Sequence, residues 1–100
     1  MTPARKAYFP RDTEEEFLAA RRRYAEESSD IAEAFHAEVM RAVTLIEQFP
    51  EASPVVGGNI RMKVLRKPFP YTIFYIIEKD RIRIAAVAHQ SREPGFWNRR

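Results

Sequence analysis

Between Pro50 and Asn59 the hydrophobic repeat of this chain changes length, which restricts it to folds that join helices to a sheet. Upstream, Ile31, Phe35, Val39, Ala42, Ile46 and Phe49 recur at steps of four or three residues. That spacing puts one apolar stripe along an α-helix, which Pro50 ends. Downstream the period becomes two. IRMKVLR (60–66) alternates Ile60, Met62 and Val64 against Arg61, Lys63 and Leu65, and RIRIAAVAH (81–89) alternates again. YTIFYIIE (71–78) between them is almost wholly apolar, as a central strand requires. EASPVVGGN (51–59) holds a proline and two of the three glycines and reads as a loop.

The first half divides further. ARKAYF (4–9) suits a short strand stopped by Pro10. Asp12 or Thr13 is placed to cap a helix over about 12–26, and Thr13 with Glu16 has capping-box spacing. Phe17, Ala20 and Tyr24 follow at helical intervals; SSD breaks the helix, and Asp30 with Glu33 restarts one over 30–49. A tight turn at Lys79-Asp80 pairs Glu78 with Arg81, Tyr75 with Ile84 and Ile73 with Ala86. That register gathers Tyr71, Ile73, Tyr75, Ile77, Ile82, Ile84, Ala86 and Ala88 on one face. The order strand–helix–helix–strand–strand–strand predicts an α+β domain, a helical hairpin packed on one face of a small, mostly antiparallel sheet. The other face is then open for function. Phe35, Val39, Ile46, Ile73 and Tyr75 are the expected core.

One hundred residues make one domain, 1–100, with a modest core. The absence of cysteine excludes disulfides and thiolate chemistry. No apolar run approaches the roughly 18 residues of a membrane helix. MTPARKAYFPRD lacks the apolar centre of a signal peptide, so a cytoplasmic protein is expected. Charge is uneven: residues 1–50 carry 7 Lys/Arg against 10 Asp/Glu, and residues 51–100 carry 10 against 4. The basic half suits either an anionic partner or ordinary solvation. Arg21, Arg22 and Arg23 read as a solvated helix face. His36 is expected to face solvent and has no companion at metal-ligand spacing. Gly57-Gly58 lacks the lysine and following helix of a phosphate loop. No metal and no cofactor are expected.

The stretches LIEQFPEASPVV and IRMKVLRKPFPYTIFYIIEKDRIRIAAVAHQSREPGFW, in this order of elements, resemble the RelE/ParE superfamily, the toxins of type II toxin–antitoxin systems. The resemblance runs from about Lys6 to Trp97, and FPYTIFYIIEKDRIRIAAVAH followed by SREP and an aromatic is its most specific part. It implies a toxin neutralised by a cognate antitoxin encoded beside it. RelE-like members are ribosome-dependent nucleases that cut mRNA; ParE-like members share the fold, lack the nuclease residues and poison DNA gyrase by binding. RelE-like nucleases carry a basic cluster and often a C-terminal tyrosine or histidine. Here the loop after the second helix has no Lys or Arg, and no tyrosine follows Tyr75.

Cutting RNA requires a group that moves the 2′-hydroxyl proton and cations around the phosphate. His89 suits the first task, and Arg61, Lys63 and Arg92 the second; Phe96 or Trp97 suits base stacking. Each has a plainer role: His89 hydrogen-bonding the tail, Arg61 pairing with a carboxylate, Trp97 covering a sheet edge. The departures from the nuclease pattern favour the ParE-like mode, with gyrase as partner and Arg61, Arg92, Phe96 and Trp97 as contacts. The alternative is a nuclease of the ribosome-bound message, built on Arg61, Lys63, His89 and Arg92. A third possibility retains antitoxin binding without toxicity.

Overall fold

Ser28 divides the helical half of the chain. Its extended backbone ends α1 (Arg11–Glu27), and its N–H donates to the Tyr24 carbonyl at 3.0 Å. Its Oγ accepts the amide protons of Asp30 and Ile31, at 3.1 and 3.4 Å, and opens α2 (Ser29–Gln48). One serine thus satisfies backbone groups at two helix ends, and the helices fold back as a hairpin. The computed structural model describes residues 5–91.

The cap expected at Asp12 or Thr13 is replaced by another entry. α1 starts behind Pro10, with no side-chain cap, and the Pro10 carbonyl accepts the Glu14 N–H at 2.9 Å. Proline is tolerated there because its φ suits the entry and its missing N–H has no helical partner to lose. Glu33, expected beside Asp30 in the restart of the second helix, pairs instead with Arg21 across the hairpin.

Among the described residues five strands form one sheet in the order β1-β5-β4-β3-β2: β1 (Lys6–Tyr8), β2 (Val55–Gly57), β3 (Ile60–Val64), β4 (Tyr71–Ile77) and β5 (Arg81–His89). β1 runs parallel to β5, and the other neighbours are antiparallel. β2 corrects the reading of 51–59 as loop alone. Val55 pairs with Arg61 and Gly57 with Ile60, around a turn at Gly58-Asn59. Gly58 has φ +54°, which L side chains rarely adopt, and Gly-Asn between two apolar runs is itself a hairpin signal. At the other edge, the Ala7 N–H donates to Glu47 Oε2 at 2.7 Å, so the end of α2 occupies a backbone group that an edge strand would expose.

The β4–β5 hairpin keeps the expected pairing near its turn. Glu78 N–H donates to the Arg81 carbonyl at 2.9 Å, and Tyr75 pairs with Ile84. Beyond Tyr75 the register shifts by one: Phe74 pairs with Ala86 and Ile73 with Val87, not with Ala86. A bulge at Ala85 flips every later side chain of β5. Val87 therefore joins Ile73 under the helices, whereas Ala86 and Ala88 join Phe74 on the opposite face. α1 holds the bulge. Thr13 Oγ1 donates to the Ala85 carbonyl and Glu16 Oε1 accepts the Val87 N–H, both at 3.2 Å. The pair that looked like a capping box is a clamp on β5.

The core lies between the hairpin and the sheet. Phe35, Val39, Ile46, Ile73 and Tyr75 are buried as expected, and the Tyr75 hydroxyl donates to the Pro50 carbonyl at 2.6 Å. Phe35 touches the rings of Phe17, Tyr24, Phe69 and Tyr71. The stripe ends before Phe49, which is 62% exposed: α2 stops at Gln48, and the non-helical φ of −135° at Phe49 takes its side chain off the helical track. His36 also departs from expectation. It is half-buried with its ring 5.2 Å from that of Phe17, because α1 covers that side of α2.

Candidate functional site

Cross-strand pairs share a sheet face, so the register locates the basic residues of β3 and β5. Arg61 pairs with Tyr75 and Lys63 with Ile73, and both therefore lie on the helix side. Arg61 Nη1 donates to the carbonyls of Glu51 (3.1 Å) and Ser53 (2.7 Å). Through Nη1 its guanidinium pins the loop between α2 and β2. Lys63 lines a hollow of about 120 Å³ with Leu45, Ile46, Phe49, Ala52 and Ser53.

His89 ends β5 opposite Tyr71, and its ring meets the Tyr71 ring edge-on at 5.2 Å. The Ser91 N–H donates to His89 Nδ1 at 3.0 Å, and Ser91 Oγ lies 2.8 Å from the same atom. In the neutral ring that bond makes Nδ1 the acceptor and leaves the proton on Nε2. The register sets the backbone spacing between His89 and the β3 cations. Lys63 is two strands and two residues away, roughly 11–12 Å between backbones at the usual strand spacing and rise, and Arg61 roughly 16 Å. Arg92, Phe96 and Trp97 lie outside the described residues.

The sheet face turned away from the helices has two parts. Toward β2 it is apolar, with Phe74, Ala86 and Ala88 beside Val56, Ile60 and Met62. Toward β1 it is cationic: Lys6 pairs with Arg81 and Tyr8 with Arg83. The Arg81 guanidinium stacks 4.0 Å over the Tyr8 ring, and Arg83 Nη1 donates to the Tyr8 hydroxyl at 3.3 Å. Glu78 accepts from Arg81 Nε at 3.0 Å, which raises the arginine pKa. These bonds fix two exposed guanidiniums on an aromatic base.

A second charged group escaped the sequence reading. Glu38 is buried on the core face of α2, where it accepts from Arg41 Nε and Nη2 at 2.8 and 2.7 Å. It also accepts from the Arg66 N–H at 2.7 Å and Arg66 Nε at 3.0 Å. The Arg41 hydrogen bonds, followed by those of Arg66, outweigh the effect of burial and hold the Glu38 carboxyl at a pKa of about 2. The signal was present: Glu38 lies between Phe35 and Val39, inside the apolar stripe, with Arg41 one turn on. A charge at a core position requires partners. The arginine run was also only partly solvated. Arg21 reaches Glu33, and Arg23 Nη2 donates to the Tyr71 hydroxyl at 3.0 Å.

Among the described residues no three His, Cys, Asp or Glu side chains gather as a metal site, and no helix is long and apolar enough to cross a membrane. No curated protein matches the chain. A chain of the chromosomal ParDE toxin–antitoxin system from P. aeruginosa shares the fold. Its TM-score is 0.74 over 86% of this chain and 96% of that one, at 13% identity. The family model described as the ParE toxin of the type II toxin–antitoxin system parDE matches residues 8–94. With that match across most of its length, on two helices packed against a five-stranded sheet, the chain belongs to the ParE toxin family of type II toxin–antitoxin systems.

Proposed function

We propose that this toxin acts by binding DNA gyrase, without chemistry of its own, and that a cognate antitoxin neutralises it. The observation that carries the reading is the employment of the two side chains best suited to RNA cleavage. Nη1 of Arg61 is held by the backbone carbonyls of Glu51 and Ser53, and the Nδ1 lone pair of His89 by the Ser91 N–H. The cationic edge formed by Lys6, Arg81 and Arg83 around Tyr8 also favours contact with an anionic protein surface. On this reading Arg92 and Trp97 are contact residues, of the types that most often dominate binding hot spots.

Induction in cells tests the proposal, with DNA damage and mRNA cleavage scored side by side. Wild type is expected to arrest growth with DNA damage and intact mRNA. Arg92→Ala and Trp97→Ala should weaken toxicity, since truncating a hot-spot side chain typically costs about 2 kcal/mol or more of binding. His89→Gln should leave toxicity largely intact. The nuclease alternative reverses the order, because loss of a general acid or base slows a reaction about 10²–10⁴-fold. Loss of mRNA cleavage in a folded His89→Gln protein would establish that alternative.

A further inference from the structure

A groove of about 630 Å³ opens between α2 and the loop joining β3 to β4. Exposed Ala34 and Ala37 contribute to its lining with Phe69, and Arg41, Arg66 and Lys67 supply its charge. Three cations face one carboxylate, Glu38, whose oxygens already accept four hydrogen bonds from Arg41 and Arg66. Those bonds use Nε and one Nη of Arg41, and Nε of Arg66. The remaining guanidinium N–H groups and the Lys67 ammonium have no partner among the described residues. Glu38 therefore orients two arginine forks whose unused edges stay available. A planar fork held in place binds a carboxylate with less ordering cost than a free one.

We propose that this groove docks an acidic peptide segment. One of its carboxylates takes the open edges of Arg66 and Lys67, while a neighbouring apolar side chain lies over Ala34 and Ala37 toward Phe69. Two alanines on a helix face let a partner backbone approach closely. Phe69 is buried, so its ring offers no open face on which a nucleic-acid base could stack. Charge and shape together select a peptide. The natural source of the segment rests on the antitoxin reading; the chemistry of the groove does not.

The test uses a fluorescein-labelled helical peptide of about 15 residues, long enough to hold a helix, with Glu and Leu at (i, i+4) spacing. A second peptide carries Lys in place of every Glu. Anisotropy is read against wild type, Lys67→Glu and Ala37→Glu, both exposed positions, with thermal melts checking that each variant folds. The acidic peptide should bind wild type and the lysine peptide should not. Either substitution should weaken acidic-peptide binding about tenfold or more. No binding by wild type, equal binding by the three folded proteins, or preference for the lysine peptide would overturn the proposal. An antitoxin whose affinity is unchanged by both substitutions would also sink the groove, while leaving the antitoxin reading intact.

Discussion

Glu38 stands three residues after Phe35 and one before Val39, on the face α2 turns toward the core, where an unpaired carboxylate would be protonated or expelled. Pairing with Arg41 and Arg66 places its pKa at about 2, against an ordinary 4.5. Between those values the unfolded chain binds more protons than the folded one. Stability from this group is therefore complete above about pH 4.5 and is lost as pH falls toward 2. Because the Arg66 side chain is largely exposed, the contribution is discounted to about 2 kcal/mol. Urea unfolding of wild type and Glu38→Gln should show a gap at pH 7 that narrows by pH 3; a constant gap would contradict this account. Phe35 acts by packing alone. It is fully buried among four aromatic rings, so Phe35→Ala should cost about 3–5 kcal/mol, and a loss under about 1 kcal/mol would show that its contacts carry little energy.

The elements differ in how plainly they were written. α2 was legible because its period of three and four persists over five turns' worth of sequence and each repeat sees the same core. β4 and the hairpin turn were legible too, since Glu78, Arg81, Tyr75 and Ile84 are related by local alternation. The bulge at Ala85 was not. Its partners Thr13 and Glu16 are 72 and 71 residues away from the groups they bind, beyond the reach of any local count. The same limit hid the work of Arg61, which goes to backbone carbonyls, groups that every residue carries. β2 is a different case, because Gly58-Asn59 announced a turn but only three residues of strand precede it. Thr13→Val keeps the shape and removes the donor to Ala85, and should cost about 1 kcal/mol, whereas Thr13→Ser should retain most of the stability. Equal stability of Val and Ser at this position would show that the bulge stands without the clamp.

Taken together, the helices hold a core under one sheet face, and the cations concentrate in the second half of the chain, which carries 10 Lys/Arg against 4 Asp/Glu. Such a distribution speeds encounter with an acidic partner and makes it salt-sensitive, while apolar burial sets how long the complex lasts. Antitoxin binding should therefore weaken in moderate salt but survive it. If moderate salt abolished binding, charge alone would be making the contact. Toxicity by binding is tested most directly with purified components: DNA gyrase supercoiling titrated with wild-type toxin and His89→Gln, beside translating ribosomes assayed for mRNA cleavage. Both proteins should inhibit supercoiling to a similar extent and leave the message intact. Undisturbed supercoiling together with mRNA cut by wild type and spared by His89→Gln would contradict the account.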